Sequence, residues 1–284
     1  MNIRTIFAMA GLALPLLAVV ATPAEAHRRW LLPSATVLAG EEETVSVDGA
    51  ISNELFYFDH HAAGLEDLKI TGPDGNEVAP AIIGSGKYRS VFDVPLKQQG
   101  TYRIALVSDG AMGFYQLNGE RGRVRGKNIA EVQAGLPAGA QNARLIPVSS
   151  RVETFVTLGE PSDTVLAPTG NGLEMVVSTH PNDIVAGEPI QVRFLNNGVA
   201  VSGLTIEFTA GGTRYRDNAG TEELTTDNDG MVTLTAKNAG PYYIEASTGD
   251  SSPAASDAEA EASAGPVITA PRYSYAAVLE FLPG

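Results

Sequence analysis

The sequence contains no cysteine. That excludes disulfides, thiolate metal sites and cysteine nucleophiles, so any transition-metal chemistry must use other ligands. Histidine is nearly as scarce, with 4 in 284 residues, and tryptophan occurs once. Basic residues are outnumbered, 19 Lys and Arg against 33 Asp and Glu, for a formal net charge of −14. Nucleic acid and anionic membrane surfaces are bound through basic patches, so this balance argues against both as partners. After Ala26 no segment approaches the roughly 20 apolar residues of a membrane-spanning helix. A nucleophile elbow, a P-loop, a Rossmann glycine fingerprint and a zincin helix are all missing. The expectation is a binding protein rather than an enzyme.

What is present begins with a leader. In MNIRTIFAMAGLALPLLAVVATPAEA, Arg4 supplies a positive start, Ile6 to Val20 an apolar stretch too short for a span, and Ala24-Glu25-Ala26 the small residues of a cleavage site. This predicts a signal peptide over 1–26, cleavage before His27, and a mature chain in the periplasm with no stable membrane span.

Strand signals then follow one another: Glu43 to Ser52, Asp67 to Thr71, Arg89 to Val94, Thr101 to Val107 and Arg151 to Leu158. Gly72-Pro73-Asp74-Gly75 is turn chemistry. Helix periodicity is confined to Lys127–Ala134. The Pro/Gly/Ser/Thr-rich segment 161–172 reads as a linker, after which Leu173–Val177, Pro189–Leu195, Gly203–Ala210, Met231–Ala236, Tyr242–Ala246 and Arg272–Phe281 restart the pattern. The predicted fold is all-β: two tandem β-sandwich domains, immunoglobulin-like or transthyretin-like, over 27–160 and 173–284. Residues 248–265 are acidic, low in complexity and nearly free of large apolar side chains, which predicts a disordered loop.

In a chain without cysteine, histidine is the natural transition-metal ligand. The four are His27, His60, His61 and His180. Cleavage makes His27 the first residue, so its free amine and ring Nδ1 can chelate together. A second histidine would complete a three-nitrogen site suited to Cu(II) or Ni(II). Arg28 and Arg29 oppose a cation there unless their side chains turn away. The alternative is a solvated ring at an incidental cleavage point. His60 and His61 end the run Leu55-Phe56-Tyr57-Phe58-Asp59. On a continuing strand they would face opposite sides, so only one could enter a site, with Asp59 as an acceptor orienting its ring. Otherwise they form a polar strand end. His180 precedes Pro181, and reads either as a ligand from the second domain or as a turn residue satisfied by Asn182 and Asp183.

Three weaker signals remain. Asp227-Asn228-Asp229-Gly230 resembles part of a calcium loop but lacks the downstream glutamate, and a hairpin turn explains it. Trp30 reads as the buried start of the first strand. Tyr88, Tyr102, Phe114 and Tyr115 read as a sugar platform or as half-buried sheet aromatics.

The start AHRRWLLPS, the run FYFDHH, the block GLEMVVSTHPNDIVAGEPIQVRFLNNGVAVSGLTIEF and the later TTDNDGMVTLTAKNAGPYYIEA together resemble the DUF4198 family of exported bacterial proteins. Some members are related to NikM-type components of nickel and cobalt uptake. The resemblance covers nearly the whole mature chain and implies a periplasmic accessory protein for copper, nickel or cobalt, working with an inner- or outer-membrane metal transporter. His27, His60 and His180 are the positions that would carry it. The rival expectation is a structural or carbohydrate-associated sandwich module at the cell surface.

Overall fold

The computed structural model describes residues 27–249 and 265–284. The predicted signal peptide and residues 250–264 of the predicted acidic loop lie outside them.

Alternating β-branched and aromatic residues form strands throughout. The first half holds β1 (Arg28–Pro33), β2 (Val37–Leu38), β3 (Glu43–Ser52), β4 (His61–Ala62), β5 (Leu68–Thr71), β6 (Ala81–Ser85) and β7 (Ser90–Leu96). Two long strands follow, β8 (Gly100–Leu117) and, after β9 (Glu120–Gly126) and helix α1 (Ile129–Ala134), β10 (Gln141–Leu158). The second half holds β11 (Leu173–Val177), β12 (Ile190–Asn196), β13 (Val199–Ala200), β14 (Thr205–Ala210) and β15 (Glu222–Thr225). It ends with β16 (Met231–Leu234), β17 (Gly240–Thr248), β18 (Val267–Ile268) and β19 (Arg272–Phe281).

The protein is an all-β sandwich structure, as the strand pattern predicts, and its two sandwiches share a sheet. A ten-stranded sheet runs β15-β14-β17-β19-β10-β8-β5, with β2 and β18 on β10 and β9 on β8. A five-stranded sheet, β1-β3-β7-β6 with β4 on β3, packs over its first half. A four-stranded sheet, β11-β12-β13 with β16 on β12, packs over its second half. The two smaller sheets lie on opposite faces. Along β19, Ala276 and Val278 enter the core with Trp30, Val47 and Phe92, whereas Tyr275, Ala277, Leu279 and Phe281 enter the core with Phe194 and Ile206. β10 divides in the same way, Val152 and Val156 to one side and Phe155 to the other. β19 joins the halves, antiparallel to β17 and parallel to β10 with Thr154 opposite Val278. A strand buried on both faces needs apolar residues at successive positions, which is why Tyr275-Ala276-Ala277-Val278-Leu279 shows no alternation.

Segment 161–172 connects β10 to β11, and its second half is pinned rather than free. Arg103 donates to the Ala167 carbonyl at 3.0 Å, Arg151 to Thr169 Oγ1 at 3.0 Å, and the Gly170 amide to Glu174 Oε2 at 2.7 Å. Behind these contacts Glu153, only 2% exposed, accepts from Tyr275 Oη at 2.8 Å and lies 3.4 Å from Arg151. Burial and the facing carboxylate push the Tyr275 hydroxyl well above its ordinary value.

The Asp227–Gly230 turn carries the chain from β15 in the shared sheet to β16 in the four-stranded one, so it is not a hairpin between paired strands. Asn118 and Gly119, with φ of 54° and 83°, make a two-residue hairpin between β8 and β9 that the strand reading passed over. The outer half of β8, β9 and the first half of β10 form an arm whose far face packs on α1 through Ala111, Val132 and Leu145.

Candidate functional site

The site is built from the buried tryptophan outward. Trp30 is fully buried at the centre of β1, and its indole N–H donates to Ser52 Oγ at 2.7 Å. Ser52 in turn donates to the Glu54 carbonyl at 2.7 Å, which starts a tight loop leading to His60. Within that loop Phe56 sits at φ 60°, a left-handed conformation unusual for an aromatic residue. Its ring stands edge-on to Trp30 at 5.4 Å, and Gly211 backs it: a Cβ there would lie 3.0 Å from the ring. The second half of the protein holds the loop as well. The Leu55 amide donates to Thr213 Oγ1 at 3.0 Å, and the Arg214 guanidinium lies 4.0 Å from the Tyr57 ring centroid.

This loop brings three of the four histidines together. The His27 and His60 rings are stacked, with centroids 3.7 Å apart and planes 6° from parallel. His61 follows at 4.0 Å from His60, inclined by 44°. The expected strand over Leu55–Asp59 does not form: β3 ends at Ser52 and the next strand, β4, begins only at His61, so the chain turns between them and the two neighbouring rings lie 4.0 Å apart instead of on opposite faces. His27 and His61 are exposed and His60 is half-buried. Partial desolvation first, then the charge on His27 and His61, hold His60 below the usual imidazole range, with Asp59 opposing.

Asp59 does not orient a ring through a hydrogen bond. Its carboxylate accepts from the Asn53 amide at 2.9 Å and the Glu54 amide at 3.2 Å, and so closes the loop. His180 is not part of the cluster. Its Nδ1 accepts from the Asn182 amide at 3.1 Å and its Nε2 pairs with Thr101 Oγ1 at 2.9 Å, so both nitrogens are engaged at the other end of β8. The contact with Asn182 is the one the turn reading expects, and Thr101 takes the place of Asp183 as the second partner.

Both arginines beside His27 are engaged by other groups, Arg28 through an ion pair and Arg29 through a backbone carbonyl. Arg28 pairs with Glu207 at 3.5 Å, and Arg29 donates to the Gly64 carbonyl at 3.4 Å with Asp67 and Glu66 nearby. Arg28 also faces Glu245, whose carboxyl is raised above its ordinary value by burial first and then by Glu207. A raised acid is a cost that appears as pH rises through its unfolded value and is absent below it. Glu245→Gln is therefore expected to raise the melting temperature around pH 7 and to leave it unchanged below about pH 4, where the unfolded acid is itself protonated. Thermal melts at the two pH values check this.

The donor set suits a borderline transition metal: imidazoles, with no thiolate in the chain. Among the described residues no three His, Asp or Glu groups are arranged around a common ion position. Parallel rings direct their in-plane lone pairs side by side, so ligation requires rotation of His27 and His61. Exposed side chains rotate within picoseconds to nanoseconds. A pocket of about 530 Å³ is lined by Phe58, Ile83, Lys87, Tyr88 and Arg89, and none of the three histidines lines it. The four aromatics read as a sugar platform are dispersed, since Tyr102 is buried and Tyr88 lies in a different pocket from Phe114 and Tyr115.

Fold and site define a β-sandwich protein with two halves fused through one sheet and an open histidine cluster at the start of its first strand. The chain belongs to the DUF4198 family: residues 24–250 match the model described as "Domain of unknown function (DUF4198)". No curated protein matches it. Similar solved structures include the D0-D1 domain of intimin, at 11% identity and TM-score 0.20, covering 86% of this chain and 96% of that one. Another is the chicken CNTN1 FN1-FN3 domains, at 11% identity and TM-score 0.23, covering 90% and 99%. Among the described residues no helix is long and apolar enough to cross a membrane.

Proposed function

We propose that this is a periplasmic metal-binding protein, not an enzyme, that carries or sequesters copper, nickel or cobalt on His27, His60 and His61. The observation that carries the reading is the convergence of these three histidines from two separate segments, with Arg28 paired to Glu207 and Arg29 bonded to the Gly64 carbonyl. Removal of the predicted leader would add the His27 amine, giving a bidentate amine–imidazole arm next to two further imidazoles. The metal is cargo in this reading. An inner- or outer-membrane transporter would be the partner that exchanges it.

The test is calorimetric titration of Cu(II), Ni(II), Co(II) and Zn(II) into protein with an authentic His27 terminus. A control carries one extra residue before His27, which moves the amine out of chelating reach. The expected result is the tightest binding for Cu(II), following the general order of divalent affinities, and a clear loss in the extended control. Equally weak binding in both proteins would overturn the proposal.

A further inference from the structure

The outer arm carries a second site of opposite character. Arg121, Arg123 and Arg125 alternate along β9, so their side chains share one face of the strand. Strand pairing extends that face across the arm, placing Arg123 opposite Phe114 and Phe114 opposite Arg144. Next to this row, Arg121 pairs with Gln116, and the Asn142 side-chain amide donates to Gln116 Oε1 at 3.3 Å. The far face holds Val124, Ala111 and Leu145 against α1, so the basic face is a separate surface.

Arg144 is the unusual member. It is only 8% exposed, yet among the described residues no carboxylate or carbonyl pairs with its guanidinium. Elsewhere the protein neutralises its buried arginines: Arg151 and Arg103 lie 3.4 and 3.7 Å from Glu153. A largely buried charge without a counter-ion is costly, so an anion that reaches Arg144 would offset that cost. Arg144 lines a pocket of about 320 Å³ together with Arg121, Arg123, Phe114, Gln116 and Asn142. In a chain of net charge −14, Arg123 and Arg144 facing one pocket are a local concentration of positive charge.

We infer that this pocket binds a phosphate group, with Arg144 and Arg123 as its principal donors and Phe114 packing against the organic part of the ligand. A single guanidinium satisfies a carboxylate through two parallel hydrogen bonds, whereas several guanidinium groups around one pocket match a dianion with three exposed oxygens. The volume admits a small phosphomonoester or the headgroup of a phospholipid.

Calorimetric titration of the whole protein with inorganic phosphate and with glycerol 3-phosphate, beside flotation with phosphatidylglycerol or phosphatidylcholine vesicles, tests the inference and separates the two sources. Saturable one-site binding of the soluble probes identifies a free phosphomonoester site. Retention on phosphatidylglycerol vesicles without soluble binding identifies a lipid headgroup. Either affinity is expected to fall roughly tenfold or more in Arg144→Gln, as loss of a charged hydrogen-bond donor implies. Arg123→Gln removes an exposed side chain and is expected to weaken binding without touching the fold. Arg214→Gln makes the same charge change far from the pocket and is expected to leave binding unaltered. Absence of binding to every probe, or equal weakening by all three substitutions, would overturn the site.

Discussion

Glu153→Ala is expected to destabilise the protein by about 3–5 kcal/mol, the usual cost of removing one partner from a buried ion pair. The reason lies in what would be left behind. Glu153 is 2% exposed and sits between Arg151 and Arg103, whose side chains are 8% and 11% exposed, and it also accepts from the buried Tyr275 hydroxyl. Glu174 would remain near Arg151 at 3.4 Å, whereas Arg103 and the Tyr275 phenol would lose the carboxylate that, among the described residues, they pair with. The site joins β10, β19, β8 and β11, so the loss acts on both halves together. At about 2–4 °C per kcal/mol for a domain of this size, the melting temperature is expected to drop by roughly 6–20 °C. A cost below about 1 kcal/mol in denaturant titration, as for an exposed pair, would show that the network contributes little.

The second large effect concerns metal affinity. His60→Ala is expected to weaken Cu(II) binding by more than the roughly 10–100-fold that loss of an outer hydrogen-bond partner costs, because a ligand itself is removed. His60 stands between His27 and His61, so its loss also separates the remaining rings. His180→Ala is expected to leave affinity unchanged, since both of its nitrogens are engaged with Thr101 and Asn182. The pH dependence has a definite sign. Protons compete with metal for imidazole, and His60 is held below the ordinary value of about 6.5, so it stays neutral and able to ligate at a pH where a solvated histidine is half protonated. Binding should therefore persist just below that value and weaken as pH falls through the lowered one.

Much of the fold could be read from strand periodicity. Glu43–Ser52, Leu173–Val177 and Arg272–Phe281 are strands with the bounds the pattern suggests. The sharing of a sheet could not be read, because pairing between β19 and β10 joins segments more than a hundred residues apart and leaves no local signal beyond the missing alternation in β19. The Asn118-Gly119 hairpin is legible from its turn chemistry, but β9 that follows has one apolar side chain, Val124, and two glycines, so it shows no apolar alternation. At the site, residue type pointed to His27, His60 and His61. The roles of His60 and His61 were obscured by the assumption of a continuing strand, which Phe56 at φ 60° and the Asp59 clamp interrupt. Asp59 satisfies nearby backbone amides instead of a histidine ring, a use that depends on loop geometry rather than on residue type, and His180 makes the turn contact with Asn182 that its own sequence context suggests. Arg144 gave no signal, since burial without a partner exists only in the folded arm.

The central claim is that His27, His60 and His61 act as one metal site. Electron paramagnetic resonance of the protein loaded with one equivalent of Cu(II) tests it most directly, by resolving coupling of the copper electron to ligand nitrogens. The account predicts nitrogen coupling that is altered in His60→Ala and preserved in His180→Ala. A spectrum of oxygen-bound copper, or one identical in wild type and His60→Ala, would contradict it.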